Sequence, residues 1–175
     1  DFLNQIAILY VTKTAALELF TGSAFGGIAQ GTPGSFPDLG VTWETITGWD
    51  SVVITTPRLV IQDLANDGLV LEQEGIWLVV LIITVSHDEA NFSRIMGARL
   101  LDFTDSVVVD TLQVGVGRNN AVTTISLSFI AEIIPDEVGN LFQVQLSGLA
   151  DTFTLVNIEI AEFSVTHQSP FVGVI

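Results

Sequence analysis

The chain contains no cysteine, which excludes disulfides, thiolate metal sites and thiol nucleophiles together and leaves the redox compartment open. Basic residues are almost as scarce. Five of them (Lys13, Arg58, Arg94, Arg99 and Arg118) stand against 20 Asp and Glu, a formal net charge of -15, so a phosphate backbone would be repelled and nucleic acid is not an expected partner. Two histidines and one tyrosine leave little material for acid–base catalysis. Long apolar runs are missing too. The longest, residues 76–85, has half the length of about 20 residues that a helix needs to span a bilayer, so no membrane association is expected. The chain opens at Asp1 with neither an initiator Met nor a basic segment before Ile6-Ala7-Ile8-Leu9. This is not an intact secretory signal and reads as the result of processing or trimming.

What is present is apolar. Hydrophobic residues make up 49% of the 175 positions and charged residues 14%, and the mean hydropathy is +0.58. Surfaces of soluble monomers are about a quarter to a third charged, so this composition predicts apolar surface covered by assembly. The length fits one domain, able to bury roughly 70% of the surface of its unfolded chain.

The excess is concentrated in GIWLVVLIITV, residues 75–85. In a strand, Trp77, Val79, Leu81, Ile83 and Val85 face one way, and Ile76, Leu78, Val80 and Ile82 the other. Neither face is polar. One can fill a domain core; the second predicts a neighbouring subunit as its cover.

From Val41 onward strands recur between turn signals, at 41–46, 51–55, 58–61, 69–71, 76–86, 92–101, 106–116, 122–133, 141–146 and 153–166. This predicts an all-β, two-sheet antiparallel sandwich. Several strands alternate cleanly, as in Ile125, Leu127, Phe129 and Ala131 against Thr124, Ser126 and Ser128. The last strand changes parity, which predicts a bulge near Ala161-Glu162. Residues 1–40 differ from the rest. An apolar opening gives way to GSAFGGIAQGTPGSFPDLG, read here as an irregular Gly/Pro-rich connector. The division is therefore an N-terminal arm and connector, 1–40, and a sandwich domain, 41–175. A first edge strand followed by a long loop is the competing reading of the opening.

The order VTWETI, WDSVVI, LVLEQEGIWLVVLIITV and, after a Gly-Leu-Ala-Asp turn, FTLVNIEIAEFSVTH resembles the jelly roll of the tumour necrosis factor and complement globular-head superfamily, which includes bacteriophage members. The likeness covers about residues 41–168, with Trp77 where the family usually has Tyr. It implies a two-sheet jelly roll assembling as a homotrimer, whose predicted interface is Trp77, Val79, Leu81, Ile83, Val85 and Phe129. It also implies action by presented surfaces rather than by catalysis.

Candidate chemistry is thin. His87 in SHDEANFS, with Asp88, Glu89 and Asn91, could surround a cation but matches no ligand spacing and reads better as a solvated turn; His167 follows as a surface or interface residue. Asp63, Asn66 and Asp67 before Gly68 lack the alternation of a calcium loop, and a turn explains them. Asp102, Asp105 and Asp110 could pair as acid and base, although a solvated strand end suffices. Gly115 to Arg118 is not a phosphate loop. Arg94 and Arg99, surrounded by so many carboxylates, are expected to be ion-paired. No catalytic residue, cofactor or metal is predicted.

Taken with the acidic, cysteine-free composition and the Gly/Pro-jointed opening, the resemblance implies a trimeric virion structural protein on a capsid surface, most specifically a decoration or cement protein of a tailed bacteriophage. The major capsid protein or another virion protein would be its partner. The arm, through Phe2, Leu3, Ile6, Leu9, Tyr10 and Phe20, would fasten it to the shell, with Trp43, Trp49 and Trp77 as aromatic working parts. The alternative is a fibre or spike head that binds a host receptor or glycan. A carboxylate-based hydrolase is a third reading, with no motif in its favour.

Overall fold

The computed structural model describes residues 24–30, 34–53, 59–87, 94–117, 121–149 and 153–168. They form twelve strands in two antiparallel sheets and one short 3-10 turn at Pro135–Glu137. In chain order these are β1 (Phe25–Gln30), β2 (Gly34–Leu39), β3 (Glu44–Thr45), β4 (Ser51–Val53), β5 (Val60–Asp63), β6 (Gly68–Leu71), β7 (Gly75–His87), β8 (Arg94–Asp102), β9 (Val107–Val116), β10 (Thr123–Ile133), β11 (Leu141–Ser147) and β12 (Phe153–Gln168). The first sheet runs β10-β7-β12-β1-β4, with β2 beside the opening half of β12. The second runs β5-β6-β11-β8-β9, with β3 beside β11.

Period-two alternation builds the core. Trp77, Val79, Leu81, Ile83 and Val85 of β7 pair with Ala131, Phe129, Leu127, Ile125 and Thr123 of β10, and all the apolar members of this set point between the sheets. Met96, Ala98 and Leu100 of β8 and Phe142, Val144 and Leu146 of β11 supply the facing layer. Trp49 closes the core. Its ring lies 6.3 Å from that of Phe163, and its indole N–H donates to the Ile46 carbonyl at 2.8 Å, so the polar atom is not left unmet on burial.

Two sequence expectations are corrected here. The Gly/Pro-rich stretch is not an irregular connector where it is described, because β1 lies inside the first sheet between β12 and β4, and β2 pairs with β12. Glycine is what permits this. A Cβ on Gly27 would lie 2.8 Å from the Phe163 carbonyl oxygen, so the close approach of β12 requires its absence. Pro37 sits in β2, whose one partner among the described residues is β12, and there a missing N–H is tolerated. The β12 bulge exists, but it falls between Ile158 and Ile160 rather than at Ala161-Glu162. Val156 and Ile158 point inward before it and Ala161, Phe163 and Val165 after it, so Glu159 is the inserted residue. Ala161, small and weakly apolar, conceals where along the strand the parity changes.

Candidate assembly surface

The predicted interface residues Trp77, Val79, Leu81, Ile83, Val85 and Phe129 are at most 1% exposed within a single subunit, covered by its own second sheet. This corrects their assignment. They are core, and the face of β7 left for a neighbour is the opposite one. Trp77 is fixed there by its indole N–H, which donates to the Gln73 carbonyl at 3.0 Å. Trp49 is likewise core, whereas Trp43 lies half-buried outside the second sheet. The arm residues Phe2, Leu3, Ile6, Leu9, Tyr10 and Phe20 lie outside the described residues.

The outer face of the first sheet carries an apolar ridge. Leu78, Val80 and Ile82 stand half-buried along β7, Ile76 (46% exposed) extends the row, and Ile130 (67% exposed) stands directly opposite Leu78 on β10. The same register sets small hydroxyls on both flanks: Ser128 and Ser164 beside Val80, Ser126 beside Ile82, Thr166 beside Leu78. Charge at its margins is acidic only, from Glu132 opposite Ile76 and Glu162 opposite Ile82. Small side chains beside branched ones leave a flat, closely approachable surface whose desolvation releases apolar area, at roughly 25 cal/mol per Å².

The acidic clusters are tied into turns. The Asn140 amide donates to Asp102 Oδ2 and to Asp105 Oδ2, both at 2.8 Å, and the Asp105 N–H donates to Asp102 Oδ1. The Leu141 N–H donates to the Thr104 hydroxyl, and the Phe103 N–H to the Leu141 carbonyl. The pair considered as acid and base is thus a clamp joining the β8–β9 turn to the start of β11. Asp110 stands apart and accepts from the Thr111 N–H. The clamped turn presents Phe103, 52% exposed, a position for which the sequence carried no signal because Asn140 lies 38 residues from Asp102. Asp63 caps its own hairpin turn through Asn66, and Asp67 accepts from the Gly48 N–H at 2.9 Å.

Both histidines are buried within the subunit, where a loop was expected for His87 and a surface or interface position for His167. His87 ends β7 with a ring nitrogen on the Gly117 carbonyl and its ring edge-on to Phe153; Asp88, Glu89 and Asn91 lie outside the described residues. His167 sits edge-on to Trp77 with Nε2 3.1 Å from the Glu74 carbonyl. Imidazole fits these places because it fills apolar space while meeting one backbone carbonyl. Among the described residues no three His, Asp or Glu gather as a metal site, and no helix is long and apolar enough to cross a membrane.

Arg99 departs from expectation as well. Its Nε donates to Gln145 Oε1 at 2.7 Å and its guanidinium carbon lies 4.6 Å from the Trp43 ring centroid, so an amide and an aromatic face replace the expected carboxylate. Burial pushes its pKa down from the ordinary value.

No family model matches the sequence, and no curated protein matches it. Solved structures do match in fold. Murine APRIL superposes with a TM-score of 0.54 at 8% identity, spanning 83% of this chain and 99% of that one. The globular domain of zebrafish complement 1qA protein gives 0.54 at 9%, spanning 81% and 94%. The PRD1 vertex protein P5 gives 0.50 at 13%, spanning 82% and 72%. The strand order and these superpositions show that the chain shares the two-sheet jelly-roll fold of these structures.

Proposed function

We propose that this jelly roll is the subunit of a homotrimeric virion structural protein, a decoration or cement protein on the capsid of a tailed bacteriophage. The observation that carries the assembly is the ridge Leu78, Val80, Ile82 and Ile130, an apolar outer face on a chain whose few charges leave it little else to cover that face. The fold likeness to a vertex protein supports placing the trimer on a particle. Residues 1–20, with Phe2, Leu3, Ile6, Leu9, Tyr10 and Phe20, serve as the fastening segment to the major capsid protein or another virion protein. The mechanism is added buried area across joints between shell subunits, and it involves no chemistry by the chain.

Light scattering on the intact chain tests the assembly: a mass three times 18.8 kDa supports it, and a stable monomer removes it. Co-sedimentation with capsids stripped of this protein tests the partner, where a trimer that stays in the supernatant refutes the cement role. The second reading, a fibre or spike head, is favoured by Phe103, an exposed aromatic on a turn clamped by Asn140. Loss of cell or receptor adhesion in F103A, with the trimer intact, would select it.

A further inference from the structure

Outside the second sheet, four side chains form one oriented line of hydrogen bonds. The Gln143 amide donates to the Asn66 carbonyl at 2.6 Å, the Thr45 hydroxyl donates to Gln143 Oε1 at 3.4 Å, the Gln145 amide donates to the Thr45 hydroxyl at 3.0 Å, and Arg99 Nε donates to Gln145 Oε1 at 2.7 Å. The direction is fixed at one end by a backbone carbonyl and at the other by a guanidinium, so neither amide is free to flip. Gly97, two residues before Arg99 on the same face, makes room for the ring on which Arg99 rests. A Cβ there would lie 2.7 Å from Trp43 Cη2 and from Leu149 Cδ2.

This line uses Nε of Arg99, and among the described residues no hydrogen bond or ion pair occupies its two terminal nitrogens. The outward positions around Arg99 are Gly97, Leu101, Gln143, Gln145, Thr111 and Gln113, and none is a carboxylate. Held in one plane and partly desolvated, this cation meets no carboxylate among the described residues to offset its desolvation, in a chain with 20 acidic residues. The terminal nitrogens of a guanidinium present parallel N–H donors that match a carboxylate.

We propose that Arg99 anchors a carboxylate-binding site on the outer face of the second sheet, with Trp43 and Gln145 as positioning residues. The carboxylate comes in trans, from a free organic acid such as an acidic sugar or from an Asp or Glu of another copy of this chain. The site is independent of the trimer proposed above, because it lies on the opposite sheet and is complete in one subunit.

The test is a titration of the intact protein with sodium acetate and sodium glucuronate, followed by NMR of the Trp43 indole N–H and the Gln145 side-chain amide. Sodium chloride and the neutral methyl ester of glucuronate serve as controls. Saturable shifts with both acids are expected, absent with the controls, lost in R99Q and weakened several-fold in R99K, which lacks the planar fork. Q145E supplies an internal carboxylate at Nε and is expected to suppress the acid-induced shift while Arg99 is retained. If raising the protein concentration without added acid moves the same signals along the same line, the source is another copy; if it does not, the source is a free acid. Shifts that are linear, equalled by chloride, or retained in R99Q overturn the site.

Discussion

Gly75 lies against the imidazole of His167: a Cβ at Gly75 would stand 2.6 Å from His167 Nε2, and the residue holds φ at +122°. The start of β7 and the end of β12 are locked together by the missing side chain. Replacing it with alanine imposes both a disfavoured backbone and a displaced ring. Strain of this kind costs about 1–3 kcal/mol, so G75A should lower the urea midpoint clearly. An unchanged midpoint would show that the contact is not needed.

Adjacent residues of β7 should behave oppositely. Val80 faces outward between Ser128 and Ser164, whereas Leu81 is buried in the core. V80D should leave a folded subunit with one third of the native mass by light scattering. L81A should keep the assembly when folded but lose about 2–5 kcal/mol of stability. A V80D protein that remains trimeric would dismiss the ridge as the subunit contact.

Truncation separates arm from sheet. Because β1 and β2 belong to the first sheet, deleting 1–40 should abolish cooperative thermal unfolding, whereas deleting 1–20 should preserve it and remove capsid binding alone. Retained capsid binding without residues 1–20 would end the fastening role.

The Asn140 clamp gives a fourth expectation. N140A leaves the buried Asp102 carboxylate without its amide donor, at a cost of about 1–3 kcal/mol. Hydrogen exchange should rise in residues 102–106 before the rest of the second sheet. Uniform exchange across both sheets would mean that the clamp is not a local tie.

Strand existence was legible wherever alternation was strong, as in β10, where Ser126 and Ser128 mark the wet face between Ile125, Leu127 and Phe129. The facing of β7 was not legible from β7 alone, since both its sides are apolar. Antiparallel pairing resolves it: Val79 lies opposite Phe129 and Val80 opposite Ser128, so the serine-flanked side is the outer one. β1 and β2 were missed because Gly26, Gly27 and Pro37 argue locally against strands, and only the closeness of β12, over a hundred residues away, makes them suitable. The Arg99 line was hidden for the same reason. Gln143 and Gln145 alternate with Phe142, Val144 and Leu146 as a wetter strand face would, yet they are buried against Thr45 of β3 and Asn66 of the β5–β6 turn, both remote in sequence.

The position of β12 also dictates an order of events during synthesis. This strand, residues 153–168, joins β7 to β1 and β2 and so stands at the centre of the first sheet. While the ribosome is still making it, β7 and β10 can pair across the intervening β8 and β9, but β1 has no long partner and Trp77 lacks the His167 ring that packs on it. The nascent chain therefore holds its most apolar strand half-paired until late in translation, the interval in which wrong strand exchange between neighbouring chains competes with closure. Slowing elongation across the codons for 141–168 would lengthen that interval and raise the yield of aggregate without altering any contact in the finished fold.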